Sequence, residues 1–173
     1  MGDVVDYEQP NKYIVLSTEY ADSNDSPVLT VGQSFILGYT NETDGIYQAS
    51  KNNPVIIFDD FTISKQWVDF YFKVKSSAMK ILTIKDGVES EVLLRYVWYY
   101  LDTITYKLEQ LSRQWIGTYS KFRIPISSLE IQSGIVQIFD NFDMVCNDLN
   151  IGLPKEIELR QKQYEYFRDK LLT

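Results

Sequence analysis

The sequence predicts an α+β protein in which a mixed-strand globule is followed by two C-terminal helices. Up to about residue 127, short apolar runs alternate with polar, glycine-containing loops, which is typical of strands and their connections. Beyond that point apolar residues recur every three or four positions, which is typical of amphipathic helices. We therefore predict two domains, at 1–127 and at 128–173.

Short apolar runs in the first domain predict five strands. The run 67–75 alternates between apolar and polar residues, as expected of a strand with one buried face, and 78–84 is expected to lie beside it. A polar loop, 38–53, is long for a small domain, and such loops often carry function. The apolar face of 67–75 would hold Val68, Phe70, Phe72 and Val74. The five predicted strands are 26–31, 34–39, 53–60, 67–75 and 78–84.

A change of period predicts a helix at 90–104. Ser90 is a candidate N-cap, because its hydroxyl can accept a hydrogen bond from a main-chain N–H of the first turn. The segment 121–126 is predicted to be extended, since Pro125 disfavours a helix there. The apolar stripe of the helix would consist of Leu93, Val97, Tyr100 and Ile104.

The second domain predicts one helix from 128 to about 150 and another from 154 to 172. Gly152 and Pro154 would end the first helix and begin the second. The apolar residues of both form a seam of the kind that packs against another helix, although such a seam can also pack against its own domain. The seam consists of Ile131, Ile135, Ile138, Phe142, Val145 and Leu149 in the first helix, and Ile157, Tyr164, Phe167 and Leu171 in the second.

Composition restricts the class of protein. A chain of 173 residues with 45% hydrophobic residues can bury a core, which excludes a disordered protein. No apolar run approaches the roughly 20 residues that a membrane span needs, and the N-terminal segment has no secretory pattern. A single cysteine, Cys146, excludes an internal disulfide. We therefore expect a cytoplasmic protein without membrane association.

Charge is unevenly distributed along the chain. The net charge of −7 argues against nucleic-acid binding. However, 62–85 holds five lysines and one aspartate, a local charge of +4, and 105–123 reaches +3. Two ordinary solvated surfaces would explain this pattern equally well. A local basic surface on an acidic protein could still hold DNA, weakly and with marked sensitivity to salt.

Motifs for catalysis are incomplete in this sequence. The chain contains no histidine, which excludes histidine-based triads and histidine metal sites. Asp59 and Asp60 end an apolar strand as in nucleotide hydrolases, but no phosphate-binding loop accompanies them, and a strand-end turn is the simpler interpretation. A small metal-dependent nuclease using Asp59, Asp60 and Lys73 remains the alternative. We predict no catalytic residue, metal site or cofactor.

Polar side chains in the loops suit binding better than catalysis. Arginine pairs bidentately with guanine in the major groove, and glutamine or asparagine with adenine. Each such residue could be a solvated loop residue, but several cluster beside lysines. The candidate DNA-binding residues are Gln33, Ser34, Tyr39, Thr40, Asn41, Thr62, Ser64, Lys65, Gln66, Lys73, Lys75, Arg113 and Gln114.

Two stretches near the C-terminus carry a family resemblance. They read "SRQWIGTYSKFRIPISSLEIQSGIVQIFDNFD" (112–143) and "GLPKEIELRQKQYEYFRDKLL" (152–172). They resemble the end of a half-repeat in the DNA-specificity subunits of type I restriction-modification enzymes, where an "IPxPxLExQ" junction leads into a helix. Here Ser127 and Ser128 replace the usual prolines, and Ile131 replaces a glutamate. The stretches 38–62 and 72–82 resemble the recognition domains of the same family.

The resemblance implies a function and partners. It identifies 1–127 as a target-recognition domain and 128–173 as a spacer whose helices pair, as an antiparallel coiled coil, with a second chain. That chain would be an identical copy or another half-subunit. A half-length subunit of this kind would be non-catalytic and would bind double-stranded DNA, reading one half of a two-part target. It would dock methyltransferase subunits, which bring the methyl donor, and, through them, restriction subunits, which bring ATP.

Overall fold

The computed structural model describes residues 1–30, 34–106, 113–147, 156–163 and 165–166. It consists of two compact units, Met1–Leu129 and Glu130–Thr173. The sequence placed the domain boundary between 127 and 128. The α+β class predicted from the sequence is confirmed, since strands dominate the first unit and helices form the described part of the second.

The elements of the described residues are as follows. The strands are β1 (Val5–Glu8), β2 (Ser26–Leu29), β3 (Ile36–Thr40), β4 (Val55–Asp59), β5 (Lys65–Val68), β6 (Lys73–Val74) and β7 (Met79–Ile84). The α-helices are α1 (Leu94–Thr103) and α2 (Leu129–Asn147), with short 3-10 helices at Pro10–Tyr13 and Tyr119–Lys121. Residues 156–163 are also helical.

A four-stranded antiparallel sheet, with strand order β1-β7-β4-β5, forms the centre of the first unit. On one face, Phe58 of β4 packs with residues of α1 and with Trp115. On the other face, Ile57 packs with residues of the second sheet. Because β4 is buried on both faces, its sequence is a continuous apolar run rather than an alternating one.

The second sheet has three strands in the order β3-β2-β6, with β2 and β3 antiparallel and β2 and β6 parallel. The single strand predicted at 67–75 is wrong, because its residues divide between β5 of one sheet and β6 of the other. Val68, Phe72 and Val74 are buried as expected, whereas Phe70 is only partly buried. The neighbour predicted for 78–84 is also wrong, since β7 lies between β1 and β4.

Helix α1 begins later than the sequence predicts. Ser90 lies in a turn between Val88 and Val92, so it does not cap the helix, and Leu93 takes the N-cap position without a side-chain hydrogen bond. Val97 of the predicted stripe is fully buried, while Tyr100 is partly buried and donates its hydroxyl proton to the carbonyl of Arg123 (2.6 Å). Of the segment 121–126 predicted to be extended, Lys121 lies in the second 3-10 helix, Phe122 has extended backbone angles, and 123–126 form neither helix nor strand.

The predicted seam lies on the exposed surface of α2. Ile138 is 57% exposed and Phe142 62% exposed. Ile131 and Val145 are also exposed, as is Ile157 in the helical stretch 156–163, whereas Ile135 is partly buried. None of the described helices is long and apolar enough to cross a membrane. The predicted positions outside the described residues are Leu149, Gly152, Pro154, Tyr164, Phe167 and Leu171.

Candidate nucleic-acid interface

Four strand ends meet at one end of the four-stranded sheet. The register pairs Asp59 at the end of β4 with Met79 at the start of β7, and Phe58 with Lys65 at the start of β5. The end of β1 lies beside the same part of β7. We call this end of the sheet the polar end. Its loops and strand ends carry Gln9, Asp60, Thr62, Ser64 and Lys80, and Arg113 contacts Gln9 and Asp60 there.

Asp59 builds the turn between β4 and β5. Its carboxylate accepts hydrogen bonds from the main-chain N–H of Phe61 (2.9 Å) and from the hydroxyl of Thr62. Ile63 has a φ of 60°, in the left-handed region that a β-branched residue rarely adopts, and it packs partly into the core. The turn leaves Thr62 and Ser64 exposed, and the strand-end turn predicted for Asp59 is confirmed.

Asp60 fixes a distant segment to the polar end. Its side-chain Oδ1 accepts a hydrogen bond from the main-chain N–H of Trp115, and its carbonyl accepts one from that of Gln114, both at 2.8 Å. Asp60 and Trp115 are each 1% exposed. The adjacent Arg113 is therefore held next to the turn at 60–64, although the two are far apart in sequence.

A buried lysine connects Asp60 with Gln9. The Nζ atom of Lys80 donates a hydrogen bond to Oε1 of Gln9 and lies 3.5 Å from Oδ2 of Asp60. Nη1 of Arg113 donates to the same Gln9 oxygen at 3.4 Å and lies 3.9 Å from Asp60 Oδ2. The side chain of Lys80 is 2% exposed and that of Arg113 49%. Arg113 is thus the solvent-exposed member of a buried polar network.

Lys65 belongs to an aromatic cluster on α1. Its Nζ lies 2.8 Å from Oδ2 of Asp102 and 3.5 Å from the ring centre of Trp98, and its side chain is 10% exposed. The guanidinium of Arg95 lies 4.8 Å from the ring centre of Trp67. These cation–π contacts hold both cations against the protein surface.

The remaining predicted DNA-binding residues are dispersed. Ser34, Asn41 and Gln66 are exposed, Tyr39 and Lys75 are partly buried, and Thr40 is buried. Lys75 lies two positions before Ser77, whose carbonyl accepts a hydrogen bond from Nε2 of Gln9 (2.6 Å). The main chain of Lys75 therefore lies close to the polar end. Gln33 lies outside the described residues.

Lys73 lies inside the first unit rather than on its surface. Its Nζ forms an ion pair with Glu42 (2.8 Å) and donates to the carbonyl of Asp44 (2.6 Å), and its side chain is 4% exposed. The hydrogen bond from Lys73 is the main cause that lowers the pKa of Glu42, which also accepts the main-chain N–H of Ser17 (2.9 Å). The structure therefore assigns Lys73 to holding the loop after β3. Gln114 is likewise buried.

The residues of the alternative nuclease do not form one site. Asp59 and Asp60 are bonded within the turn and to Trp115, whereas Lys73 is paired with Glu42. In the part of the chain that the structure describes, no group of three or more metal-ligating side chains occurs.

Sequence reasoning missed Gln9 and Lys80. One signal was available for Lys80, which interrupts the apolar run of β7 at a position on the same face as the buried Leu82. A lysine at a core-facing position of a strand indicates a buried partner of opposite or polar character.

Comparisons with known proteins identify the family. A family model described as the type I restriction modification DNA specificity domain matches residues 1–159. A type I restriction enzyme specificity subunit of Escherichia coli is 50% identical over 182 residues, covering 100% of this chain and 43% of that protein. A putative type I restriction enzyme specificity subunit of Haemophilus influenzae is 33% identical over 91 residues, covering 51% of this chain and 24% of that protein.

Solved structures show the same fold. The S subunit of a type I restriction-modification system from M. genitalium matches with a TM-score of 0.62 and 15% identity, covering 98% of this chain and 44% of that one. A chain from a structure of the type I R-M system matches with a TM-score of 0.59 and 15% identity, covering 92% and 41%.

The matches agree with the resemblance seen in the sequence. The chain spans less than half the length of the curated relatives described above. Specificity subunits are non-catalytic, which confirms the prediction that this protein is not an enzyme. On the family match over residues 1–159 and the identity across the whole chain, this protein belongs to the specificity subunits of type I restriction-modification systems.

Proposed function

We propose that this chain reads one half of a two-part DNA target through the polar end of its four-stranded sheet. The observation that carries the proposal is the match of residues 1–159 to the DNA specificity domain. The first unit also presents, on one edge, the side-chain types that contact DNA, namely a guanidinium and two hydroxyls.

The proposed contact residues are a subset of those predicted from the sequence. Arg113, Thr62 and Ser64 lie together at the polar end, and Lys75 follows β6 close by. Thr40, Lys73 and Gln114 are left out because they are buried. Ser34, Asn41 and Gln66 are exposed on other strands and loops and are proposed as peripheral contacts.

We further propose that the exposed seam of α2 packs against the equivalent helix of a second recognition unit, in antiparallel orientation. Ile138 and Phe142 are more than half exposed, and apolar side chains at this spacing are stabilised when another helix covers them. The 19 residues of α2 rise about 28 Å, close to the roughly 34 Å of one DNA turn, so paired helices could set the distance between two half-sites. The partner would be a second copy or another half-subunit.

The assembled enzyme would draw its chemistry from other subunits. We propose that methyltransferase subunits dock on this chain and bring the methyl donor, and that restriction subunits join through them. With two identical chains related by a two-fold axis, equivalent surfaces would read equivalent bases, and the target would be an interrupted palindrome.

Mapping of modified bases tests the proposal. The chain would be expressed with its methyltransferase subunits in cells that lack other modification systems, and modified bases would be located across the genome. A single two-part motif that disappears without this chain is the expected result. Two unrelated halves would show that the partner is a different half-subunit, whereas modification unaffected by this chain would refute the proposed function.

A further inference from the structure

We propose that Arg113 reads a guanine in the major groove, and that Asp60, Gln9 and Lys80 are positioning residues that fix its guanidinium for this contact. The inference rests on the proposed function and assigns to one side chain of the polar end a specific base. Its basis is the way in which the buried network holds one edge of Arg113 and leaves another edge available.

The polar contacts of Arg113 are made by one nitrogen of its guanidinium, whose central carbon also lies 6.0 Å from the ring centre of Phe61. Nη1 donates to Gln9 Oε1 at 3.4 Å and lies 3.9 Å from Asp60 Oδ2. Neither Nη2 nor Nε donates a hydrogen bond to any residue in the described part of the chain. These two atoms form a planar pair of donors that matches the N7 and O6 acceptors of guanine. The side chain as a whole is 49% exposed, which is consistent with access of a ligand to this pair.

The network that holds Nη1 is anchored in the interior. Asp60 is 1% exposed, and its other carboxylate oxygen and its carbonyl each bind a main-chain N–H, at Trp115 and Gln114. Gln9 is held in turn by Lys80 on its Oε1 and by the carbonyl of Ser77 on its Nε2. A guanidinium fixed in this way loses less rotamer freedom when it binds than a mobile surface arginine does.

The surroundings of Asp60 Oδ2 indicate that this carboxylate does more than accept the main-chain hydrogen bond from Trp115. This oxygen is buried and, among the described residues, accepts no hydrogen bond, yet it faces both Lys80 and Arg113. A buried carboxylate oxygen without a hydrogen bond is unfavourable, and an asparagine could retain the bond to Trp115. The negative charge is explained if its role is to hold the two cations in place.

Orientation distinguishes a base reader from a phosphate contact. Any mobile cation near the DNA backbone can contact a phosphate, whereas the acceptors of guanine must be contacted in the plane of the base pair. A half-exposed arginine fork that is held at one nitrogen is an arrangement that such in-plane recognition favours. We therefore assign guanine, with phosphate as the outcome that would contradict the assignment.

The experiment uses the full chain assembled with its methyltransferase subunits and a DNA duplex carrying the motif mapped in cells. Binding is measured for every single-base change in the half-site. Arg113→Ala is expected to abolish the preference for guanine at one position, a loss of about tenfold or more, and to leave the other positions unchanged. Arg113→Lys, which keeps the charge but not the fork, is expected to lose the same preference.

The positioning role is tested by Asp60→Asn and Gln9→Ala. Each is expected to weaken the guanine preference at the same position as Arg113→Ala, and Asp60→Asn in the Arg113→Ala background is expected to add nothing. Asp86→Asn is the matched control, because it makes the same substitution at an exposed carboxylate beyond the opposite end of β7. Lys85→Ala, which removes one charge just after the opposite end of β7, should leave the guanine preference unchanged.

Each other result has a defined meaning. If Arg113→Ala weakens all sequences equally and lowers the salt slope by about 0.9, Arg113 contacts phosphate and the assignment is wrong. If Asp60→Asn and Gln9→Ala change base preference no more than Asp86→Asn does, the positioning role is wrong. A wild-type assembly without any preferred motif would instead refute the proposed function itself.

Discussion

The two units differ in what they bury and what they expose. The first unit buries charged side chains: Lys73 is 3% exposed, Lys80 2% and Asp60 1%. In α2 of the second unit the large apolar side chains lie on the surface, with Ile138 57% and Phe142 62% exposed. Soluble proteins usually show the reverse of both patterns.

The difference indicates which parts need a partner. Two of these buried charges form ion pairs within the same unit, Lys73 with Glu42 and Lys80 with Asp60, while the buried Asp59 accepts hydrogen bonds within its turn. The buried charges of the first unit therefore have partners within the same unit. The apolar surface of α2 gains stability only when something covers it. Recognition of DNA and assembly with other chains would thus rely on different units, and the following predictions test that separation.

The largest effect is expected from Glu42→Ala in the first unit. It leaves Lys73 buried without a carboxylate and removes the acceptor for the main-chain N–H groups of Leu16 and Ser17. Unfolding by urea, followed by tryptophan fluorescence, should show a loss of about 3 to 5 kcal/mol. Lys12→Ala is the control, because it breaks the exposed pair with Glu8 (3.3 Å) and should cost less than about 1 kcal/mol. Equal losses would contradict the structural role of Lys73.

The next effect is expected from Phe142→Asp in the second unit. A charge buried in an apolar seam should weaken association by about 2 to 3 kcal/mol. Light scattering at micromolar concentration would show dimers for the wild type and monomers for the variant, with unfolding of the first unit unchanged. Gln137→Asp, an exposed polar position of the same helix, should leave association unchanged. A monomeric wild type would refute pairing between identical chains.

A smaller effect is expected from pH. The pKa of Glu42 lies below its ordinary value of 4.5, chiefly because of the hydrogen bond from Lys73. The folded state therefore binds the proton less readily than the unfolded state, so the stabilisation is complete above pH 4.5 and is lost as the pH falls toward the lower, folded value. In unfolding measurements between pH 6 and 3, Glu42→Gln should show a flatter dependence than the wild type. An identical dependence would contradict this assignment.

The smallest effect is expected from Lys75→Ala, which should lower the slope of log K against log salt by about 0.9 for DNA binding of the assembled complex. The sequence suggested that Lys73 contributes in the same way, but its burial predicts no additional decrease for a double substitution. Measurements between 50 and 200 mM salt would test both statements. An unchanged slope for Lys75→Ala would remove this lysine from the interface.

Local patterns predicted much of the fold. The uninterrupted apolar run of β4 and the alternation near Phe72 record the faces that these strands bury, whereas the three-to-four spacing in α2 records an apolar face that is exposed. The same alternation led to the wrong prediction of a single strand at 67–75. Val68 and Val74 are both buried, but the chain passes from one sheet to the other between them. Alternation reports a buried face and does not report which sheet the face belongs to.

The site was predictable only in its exposed part. Arg113, Thr62 and Ser64 were named from the sequence as polar residues in loops. Lys80 and Gln9 are 71 positions apart, and Asp60 and Trp115 are 55 apart, so no local pattern connects them. In the sequence, Lys73 lies on the polar face of a predicted strand. Its burial depends on the ion pair with the carboxylate of Glu42, which lies in another loop.

The sequence by itself determined the family, the α+β class and the apolar seam of α2, because these depend on residue types at short, regular spacings. Only the tertiary structure decided which cations are buried and which edge of Arg113 is held. Burial and ion pairing depend on groups that distant segments bring within about 4 Å. The Asp60 network exists because the antiparallel register of β1, β7 and β4 brings their ends to one edge.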